Sequence, residues 1–312
     1  MNFKNVDNFS TKNAMIKNTK ISNYCTFAIE QHHFIFMNSK PDFLIDIEKV
    51  VKEKAPNTFI PTFLVSYLRK IVHEKEINEL LATYSHQKNV DFLESAVKYF
   101  QVNVSIKNRE NLPHDDKLYI FAGNHPLGGM DAIMTGSLLG REYDGKIRFM
   151  ANDMLMFIEP LKDLFIPVNK VGSQGKNHVR ELNDFFSSDC HLITYPAGKC
   201  SRKSNGKIQD EAWNKNFIVK AIQHQRDIVP IYFDGKNSNF FYNLANLRKF
   251  FHIKFNIEML YLSDEMFKQK GKSFSLVIGE PIRWQTFDRS KTYGKWAQWV
   301  KEKVYALSEK TF

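Results

Sequence analysis

Cysteine is scarce in this chain, and the shortage excludes some classes of protein. The 312 residues include three cysteines, Cys25, Cys190 and Cys200, and no two of them have C-x-x-C spacing. An odd number without that spacing provides neither a complete disulfide framework nor a thiol redox motif. We therefore expect a protein of the reducing cytoplasm.

Long apolar runs are also missing. No stretch is apolar over the roughly 20 residues that a membrane-spanning helix needs, and the N-terminus, MNFKNVDNFSTKNAMIKN, lacks the apolar core of a signal peptide. Any membrane contact is thus expected to be peripheral, on the inner face of the cell membrane. The chain does have an excess of positive charge, with a formal net charge of +10. This charge favours an anionic partner and leaves open a membrane, a nucleic acid or an acidic carrier protein.

The chain divides into three regions by pattern. Residues 1–40 are rich in Asn, Lys and Ser without a sustained period, which predicts a loosely ordered lead-in. Residues 41–100 place apolar residues three or four apart, which predicts three or four helices. In residues 101–312, short β-rich runs alternate with helical patterns, which predicts an α/β domain whose sheet is covered on both faces. The predicted strands are residues 102–106, 118–122, 146–150, 164–168, 191–195, 227–233 and 273–279, and the helical patterns are residues 131–139, with a stop at Gly140, 211–224 and 292–307.

The stretch FAGNHPLGGMD, residues 121–131, lies between a predicted strand and a predicted helix. His125 and Asp131 would then follow the carboxyl end of a strand, where ligand sites form in α/β sheets. A carboxylate that accepts from one imidazole nitrogen fixes the tautomer, so the other nitrogen can take a substrate proton. Gly128 and Gly129 permit the sharp turn that this contact needs. The alternative is that Asp131 caps the helix and His125 satisfies a turn.

A second stretch, HLITYPAGKCSRKSNGK at residues 191–207, also runs from a strand into a glycine-containing loop. Its cations are Lys199, Arg202, Lys203 and Lys207. Cations and backbone N–H groups of such a loop can bind a phosphate or a carboxylate. The alternative is a solvated basic turn. Cys200 is disfavoured as a nucleophile because no neighbouring base is evident.

Together these stretches resemble the glycerophospholipid acyltransferase family, whose members carry four ordered blocks. The matching segments are NHPLGGMD at residues 124–131, LFIPVNK at 164–170, YPAGKCSR at 195–202 and IVPIYF at 228–233, followed by GEPI at 279–282. The resemblance implies a mixed central sheet flanked by helices. The form of the first and third blocks is most similar to the bacterial, hemolysin-like branch that acylates lyso-ornithine or lyso-glycine lipids.

The chain departs from the family pattern at three positions. Five residues separate His125 from Asp131, where the family has four, and the extra one falls in the Gly-Gly turn. Ala197 replaces the glutamate of the third block, and Lys170 stands where many members have arginine. Because the last two changes alter how a head group is held, they affect acceptor recognition more than catalysis.

The resemblance implies a mechanism and a set of partners. His125 would deprotonate the hydroxyl of a lyso-lipid, which attacks an acyl thioester, and Asp131 would support the imidazolium. The thioester would be that of acyl carrier protein or of coenzyme A. The reaction would need no cofactor and no metal. The implied substrate-binding residues are Asn124, Gly128, Gly129, Lys170, Gly198, Lys199, Ser201 and Arg202. Lys170, Lys199 and Arg202 would hold an anionic head group or the phosphopantetheine of the donor.

Two segments combine large apolar side chains with cations and are candidates for contact with an anionic membrane. They are residues 59–75, FIPTFLVSYLRKIVHEK, and residues 239–255, NFFYNLANLRKFFHIKF. Amphipathic helices of this composition lie in the headgroup layer, and positive charge favours anionic lipid. The alternative for both is a core-facing helix whose cations are solvated.

Three other classes of protein compete with an acyltransferase. A non-catalytic membrane-binding protein with the same fold would retain the shape without needing His125 and Asp131. A metallohydrolase would need further convergent ligands, yet His191 and His224 occur singly, without metal-motif spacing. Nucleic-acid binding lacks a recognisable module, so no nucleic acid is expected as a partner.

Overall fold

The computed structural model describes residues 44–54, 59–151, 158–167, 185–186, 188–254 and 256–308. The predicted lead-in and Lys170 lie outside these residues. Within them the predicted alternation is confirmed: each strand predicted from the sequence is present, displaced by no more than two residues at either end. The strands are β1 (Asn103–Lys107), β2 (Ile120–Gly123), β3 (Ile147–Ala151), β4 (Phe165–Pro167), β5 (His191–Thr194), β6 (Arg202–Ser204), β7 (Lys207–Gln209), β8 (Ile228–Asp234) and β9 (Ser273–Ile278).

The helical patterns are confirmed as well, with some shifted ends. The α-helices are α1 (Ile47–Lys54), α2 (Thr62–Val72), α3 (Glu74–Tyr84), α4 (Asn89–Tyr99), α5 (Met130–Glu142), α6 (Asn216–Gln223), α7 (Asn239–Phe250), α8 (Leu262–Phe267) and α9 (Tyr293–Ala306). The predicted stop at Gly140 is wrong, because α5 continues to Glu142. A Cβ at Gly140 would lie 2.5 Å from Val90 of α4, so this glycine permits close helix packing rather than ending the helix.

Seven of the described strands form one sheet in the order β1-β9-β8-β2-β5-β3-β4. Every neighbouring pair is parallel except β8 and β9, which are antiparallel. The sheet is therefore mixed, as the family resemblance implied, and it is largely parallel. The strands β6 and β7 form a separate antiparallel ribbon.

Side chains alternate across the sheet and build a core on each face. On β2, Phe121 faces a core that also contains residues from α1 to α5, while Ile120 and Ala122 face a core with residues from α6 and α9. Helices thus cover both faces, as expected for a largely parallel sheet. The first of these cores is shared by the helices before residue 100 and the sheet. None of the described helices is both long enough and apolar enough to cross a membrane.

Candidate active site

His125 follows β2 at the carboxyl end of the parallel strands. The loop begins at Asn124, whose buried side-chain amide donates to the carbonyl of Phe233 (2.9 Å) and accepts from its N–H (2.7 Å). These two bonds extend the contact between β2 and β8 beyond their last pair, Gly123 and Ile231. The structure therefore places Asn124, predicted to contact substrate, against the main chain of β8, where it fixes the start of the loop.

The imidazole of His125 contacts the carboxylate of Asp131, with Nδ1 and Oδ2 3.1 Å apart. The carboxylate is fully buried, while 14% of the His125 side chain remains exposed. The same carboxylate accepts from the N–H of Leu127 (3.0 Å) and from the N–H of Ala132 (2.9 Å). Asp131 thus binds the histidine, the loop N–H of Leu127 and the N–H of Ala132 in the first turn of α5, while the N-cap position of that helix is Gly129.

The glycine turn accommodates the extra residue between His125 and Asp131. Gly128 has φ +82°, a conformation that side chains disfavour, and a Cβ there would lie 2.8 Å from Leu262 of α8. Gly129 is the residue before α5. Glycine at position 128 is thus needed both for the backbone conformation and for the close approach of α8.

Electrostatics at the site favour the protonated imidazole. Burial, the largest single influence, lowers the pKa of His125, but the charge and the hydrogen bond of Asp131 are the main contributions that raise it, and the net pKa is raised. The Asp210 carboxylate and the Gly128 carbonyl act in the same direction. An imidazole whose protonated form is stabilised by its surroundings is suited to removing a proton from a hydroxyl.

Tyr195, the residue after β5, stacks on the imidazole with ring centroids 4.3 Å apart and planes inclined by 18°. Burial raises the pKa of its hydroxyl well above the usual value, so the ring remains neutral. The imidazole is therefore held by a carboxylate at its edge and by an aromatic ring at its face. Tyr195 is the first residue of the third block of the resemblance, YPAGKCSR, and that was the only sequence signal for this contact.

The second predicted loop contacts the first. The N–H of Ser201 donates to the carbonyl of His125 (2.8 Å). Its hydroxyl donates to Asp210 (2.6 Å), a buried carboxylate that also accepts from the N–H of His125 (3.2 Å). Sequence reasoning missed Asp210, which is 85 positions from His125 and belongs to no block of the resemblance.

Two of the four predicted cations of this loop, Lys199 and Arg202, are engaged with carboxylates. Lys199 forms an ion pair with Glu211 at 2.5 Å. Arg202 is 4% exposed and donates to Glu258 (2.9 Å) and to the carbonyl of Cys200 (2.8 Å). A head group would have to displace Glu258 to bind this guanidinium. Gly198 has φ +68° and turns the chain ahead of these residues.

A buried acid–base pair at the carboxyl edge of a largely parallel sheet is the arrangement of an α/β enzyme. Among the described residues, no group of three or more His, Cys, Asp or Glu side chains is placed to hold a metal ion. A family model described as Acyltransferase matches residues 49–311 of the chain. The chain belongs to this acyltransferase family, which confirms the predicted class of enzyme.

Two curated relatives share about half of their residues with this chain. A lyso-glycine lipid O-acyltransferase from Bacteroides thetaiotaomicron is 51% identical over 267 residues, which cover 85% of this chain and 98% of the relative. A protein of the same name from Phocaeicola vulgatus is 50% identical over 267 residues, covering 85% of this chain and 95% of the relative. Among solved structures, the 1-acyl-sn-glycerophosphate acyltransferase PlsC from Thermotoga maritima matches with a TM-score of 0.43 and 15% identity, covering 95% of this chain and 96% of that one.

Proposed function

We propose that the protein is a lyso-lipid O-acyltransferase that transfers a fatty acyl group from a thioester to the hydroxyl of a lyso-glycine lipid. Relatives at 51% and 50% identity carry that activity in their names and match nearly their whole length. The observation that supports the chemistry in this chain is the contact between His125 and the buried carboxylate of Asp131.

In the proposed reaction, Nε2 of His125 takes the proton of the acceptor hydroxyl while the oxygen attacks the thioester carbonyl. Asp131 accepts from Nδ1 and stabilises the imidazolium that forms. The tetrahedral intermediate collapses with cleavage of the carbon–sulfur bond, and the imidazolium returns the proton to the departing thiolate. The products are an ester and a free thiol, so no protein nucleophile and no cofactor are needed.

The negative oxygen of the tetrahedral intermediate needs hydrogen-bond donors. We assign this role to the backbone N–H groups of Gly128 and Gly129, which lie at the positive end of α5. The turn that brings Asp131 to His125 would then also place donors beside the reacting carbon. Lys199 lies in the adjacent loop and remains our candidate for a contact with the polar part of a substrate, whereas the hydroxyl of Ser201 is buried and donates to Asp210.

The activity is tested by supplying purified protein with lyso-glycine lipid and an acyl thioester, with acyl carrier protein and coenzyme A as donors in separate reactions. Mass spectrometry is expected to detect the diacylated glycine lipid with at least one donor, and the donor with the higher rate is the class that the enzyme prefers. Parallel reactions contain lyso-ornithine lipid or lysophosphatidate. Product from lysophosphatidate alone, or from none of the acceptors, would contradict the proposed acceptor.

We further propose that the protein docks on an anionic bilayer through an exposed aromatic surface. This surface consists of Phe59, Phe63 and Tyr67 in and before α2 with Phe240, Leu247, Phe250 and Phe251 in and after α7. The two groups come from the two segments that the sequence indicated. They meet at Tyr261, whose hydroxyl contacts that of Tyr67 (2.6 Å) and whose ring packs edge-on against Phe240 with centroids 4.9 Å apart.

Charge and position both favour lipid as the partner of the aromatic surface. Lys70 and Lys254 are exposed beside it, and Lys268 lies 5.8 Å from the centroid of the Phe240 ring. Basic residues next to exposed aromatics are attracted to anionic headgroups while the rings enter the interface. Leu262, the residue after Tyr261, approaches Gly128 in the glycine turn. A lipid drawn from the bilayer would therefore enter close to His125.

Replacing both Phe250 and Phe251 with serine is expected to lower affinity for phosphatidylglycerol vesicles by about tenfold or more. The reason is that transfer of each ring from water into the bilayer contributes about 1.5–3 kcal/mol. Co-sedimentation measures this binding, with phosphatidylcholine vesicles as the uncharged comparison. The control is Tyr293→Ser, which removes an exposed ring at the start of α9. Equal vesicle binding by the wild type and the double variant would exclude this surface, and self-association lost in the double variant would assign it to a second copy of the chain.

A further inference from the structure

Asp210 follows the β6–β7 ribbon and is 2% exposed, yet it belongs to no predicted motif. Its Oδ1 accepts from the hydroxyl of Ser201 (2.6 Å) and from the N–H of His125 (3.2 Å), and its Oδ2 accepts from Nε1 of Trp213 (2.9 Å). Two of these three partners are N–H groups, which can only donate. Burial raises the pKa of Asp210, and the hydrogen bonds from Ser201, Trp213 and the N–H of His125 act against this increase.

The main chain of His125 is held on both sides. Its N–H donates to Asp210, and its carbonyl accepts from the N–H of Ser201 (2.8 Å). Because β2 ends at Gly123, no sheet pairing fixes His125 itself. The carboxylate and Ser201 therefore replace a neighbouring strand and determine where the imidazole stands between Asp131 and Tyr195.

Asp210 is itself fixed by α9. Its N–H donates to the hydroxyl of Tyr305 (2.7 Å), and its carbonyl accepts from Nζ of Lys301 (2.5 Å). Both side chains come from the last three turns of that helix, which packs against the sheet through its buried face. Asp210 is thus anchored to α9, which packs in the core, as well as to side chains of the neighbouring loop.

We propose that Asp210 is a positioning residue for acyl transfer, which anchors the main chain of His125 and supplies a second negative charge that stabilises the protonated imidazole. This inference rests on the proposed role of His125 as the base. It adds to the Asp131 contact a second carboxylate, which holds the main-chain N–H of His125 and which the resemblance does not include.

The groups facing His125 determine the sign of the expected effect. They are Asp131 from α5, Asp210 after β7, the neutral Tyr195 hydroxyl after β5 and the Gly128 carbonyl, while Lys301 and Tyr305 face Asp210. Burial lowers the pKa of His125, whereas Asp131 and Asp210 raise it to a net increase. Removing the charge of Asp210 therefore lowers the pKa. Because the neutral imidazole is the base, the acid limb of activity should move to lower pH.

The test compares two proteins that differ only at position 210. Asp210→Asn alone would place an NH₂ group against Nε1 of Trp213, so the exchange is made in a Trp213→Phe background and compared with Trp213→Phe itself. NMR titration of the His125 imidazole, assigned by its absence in His125→Gln, gives the midpoint in each folded protein without substrate. The midpoint is expected at lower pH in the double variant, and kcat is expected to fall by about tenfold to a hundredfold.

Equal midpoints in the two proteins would overturn the electrostatic role, whether or not acyl transfer is detected. If the wild-type protein showed no acyl transfer, this would instead count against the proposed function, and the titration result would still stand. Ser201→Ala provides a second variant, because it removes one partner of Asp210 and keeps the carboxylate. It is expected to lower kcat without moving the midpoint, and a shifted midpoint there would contradict the assignment to the charge of Asp210.

Discussion

Replacing His125 with alanine is expected to lower kcat for acyl transfer by about two to four orders of magnitude, the usual contribution of a positioned general base. The acceptor hydroxyl is a poor nucleophile until it loses its proton, and Nε2 of His125 is the proposed acceptor for that proton. The acid limb of the pH–rate profile should disappear with the imidazole that titrates. Rates are measured with lyso-glycine lipid and the thioester that supports turnover by the wild type.

His114→Ala is the matched control, since that histidine is exposed in the loop before β2 and makes long contacts with Glu142 (3.6 Å) and with the ring of Tyr143 (centroids 6.3 Å apart). It is expected to leave kcat unchanged. Thermal unfolding of both variants separates loss of chemistry from loss of fold. If His125→Ala turned over lyso-glycine lipid at the wild-type rate, the mechanism proposed for this site would be wrong, although the assignment to the acyltransferase family would stand.

The central strands were predictable because each is a short run of apolar residues. In β2, β5 and β8 short apolar runs are bounded by turn residues, and all three lie at the centre of the sheet, buried on both faces. A strand that is apolar on both faces has to be covered on both faces, whichever strands lie beside it. The alternation with helical patterns then predicted a sheet covered on both faces, which the two cores confirm.

The contacts that complete the site were not predictable in this way. Arg202 stands in a loop that reads as basic and exposed, but the fold brings Glu258 against it, 56 positions along the chain. The segment around Arg202 was predicted as a loop and instead forms the β6–β7 ribbon. That ribbon carries Asp210 to His125. No local period encodes such contacts, because the partners depend on how distant loops meet.

The exposed rings show the same limit at the surface. Residues 59–75 and 239–255 each had an apolar and basic composition that fits either a core helix or a membrane helix. The structure divides their apolar residues: Val65 and Leu68 of α2 are buried, while Phe63 is 74% exposed. Composition could identify the segments, but only the packing of α2 and α7 around Tyr261 separates the rings in the core from those in solvent.

Replacing Asp131 with asparagine is expected to lower kcat by about two to four orders of magnitude while leaving the fold intact. The same exchange in a serine-protease triad costs about 10⁴-fold because the histidine adopts the wrong tautomer. Here Oδ2 accepts from both Leu127 N–H and His125, and Oδ1 accepts from Ala132 N–H. An amide has one acceptor oxygen, so one of these donors must face an NH₂ group.

If the NH₂ group of the new asparagine faces His125, it donates to Nδ1 and places the ring proton on Nε2, which then cannot accept from the substrate. If the oxygen faces His125, the tautomer is retained but the charge that stabilises the imidazolium is lost. In both cases the pKa of His125 falls, because Asp131 is a principal cause of its increase. The residual activity should therefore have its acid limb at lower pH than the wild type.

A ¹⁵N spectrum of the imidazole distinguishes the two tautomers, and kcat against pH measures the loss and the shift. Asp116→Asn, at an exposed position in the loop before β2, makes the same chemical change away from the site and should alter neither quantity. Wild-type kcat in Asp131→Asn would mean that the carboxylate serves only the backbone of the turn and of α5. A large loss with an unmoved acid limb would assign Asp131 to geometry alone and leave Asp210 as the charge that stabilises His125.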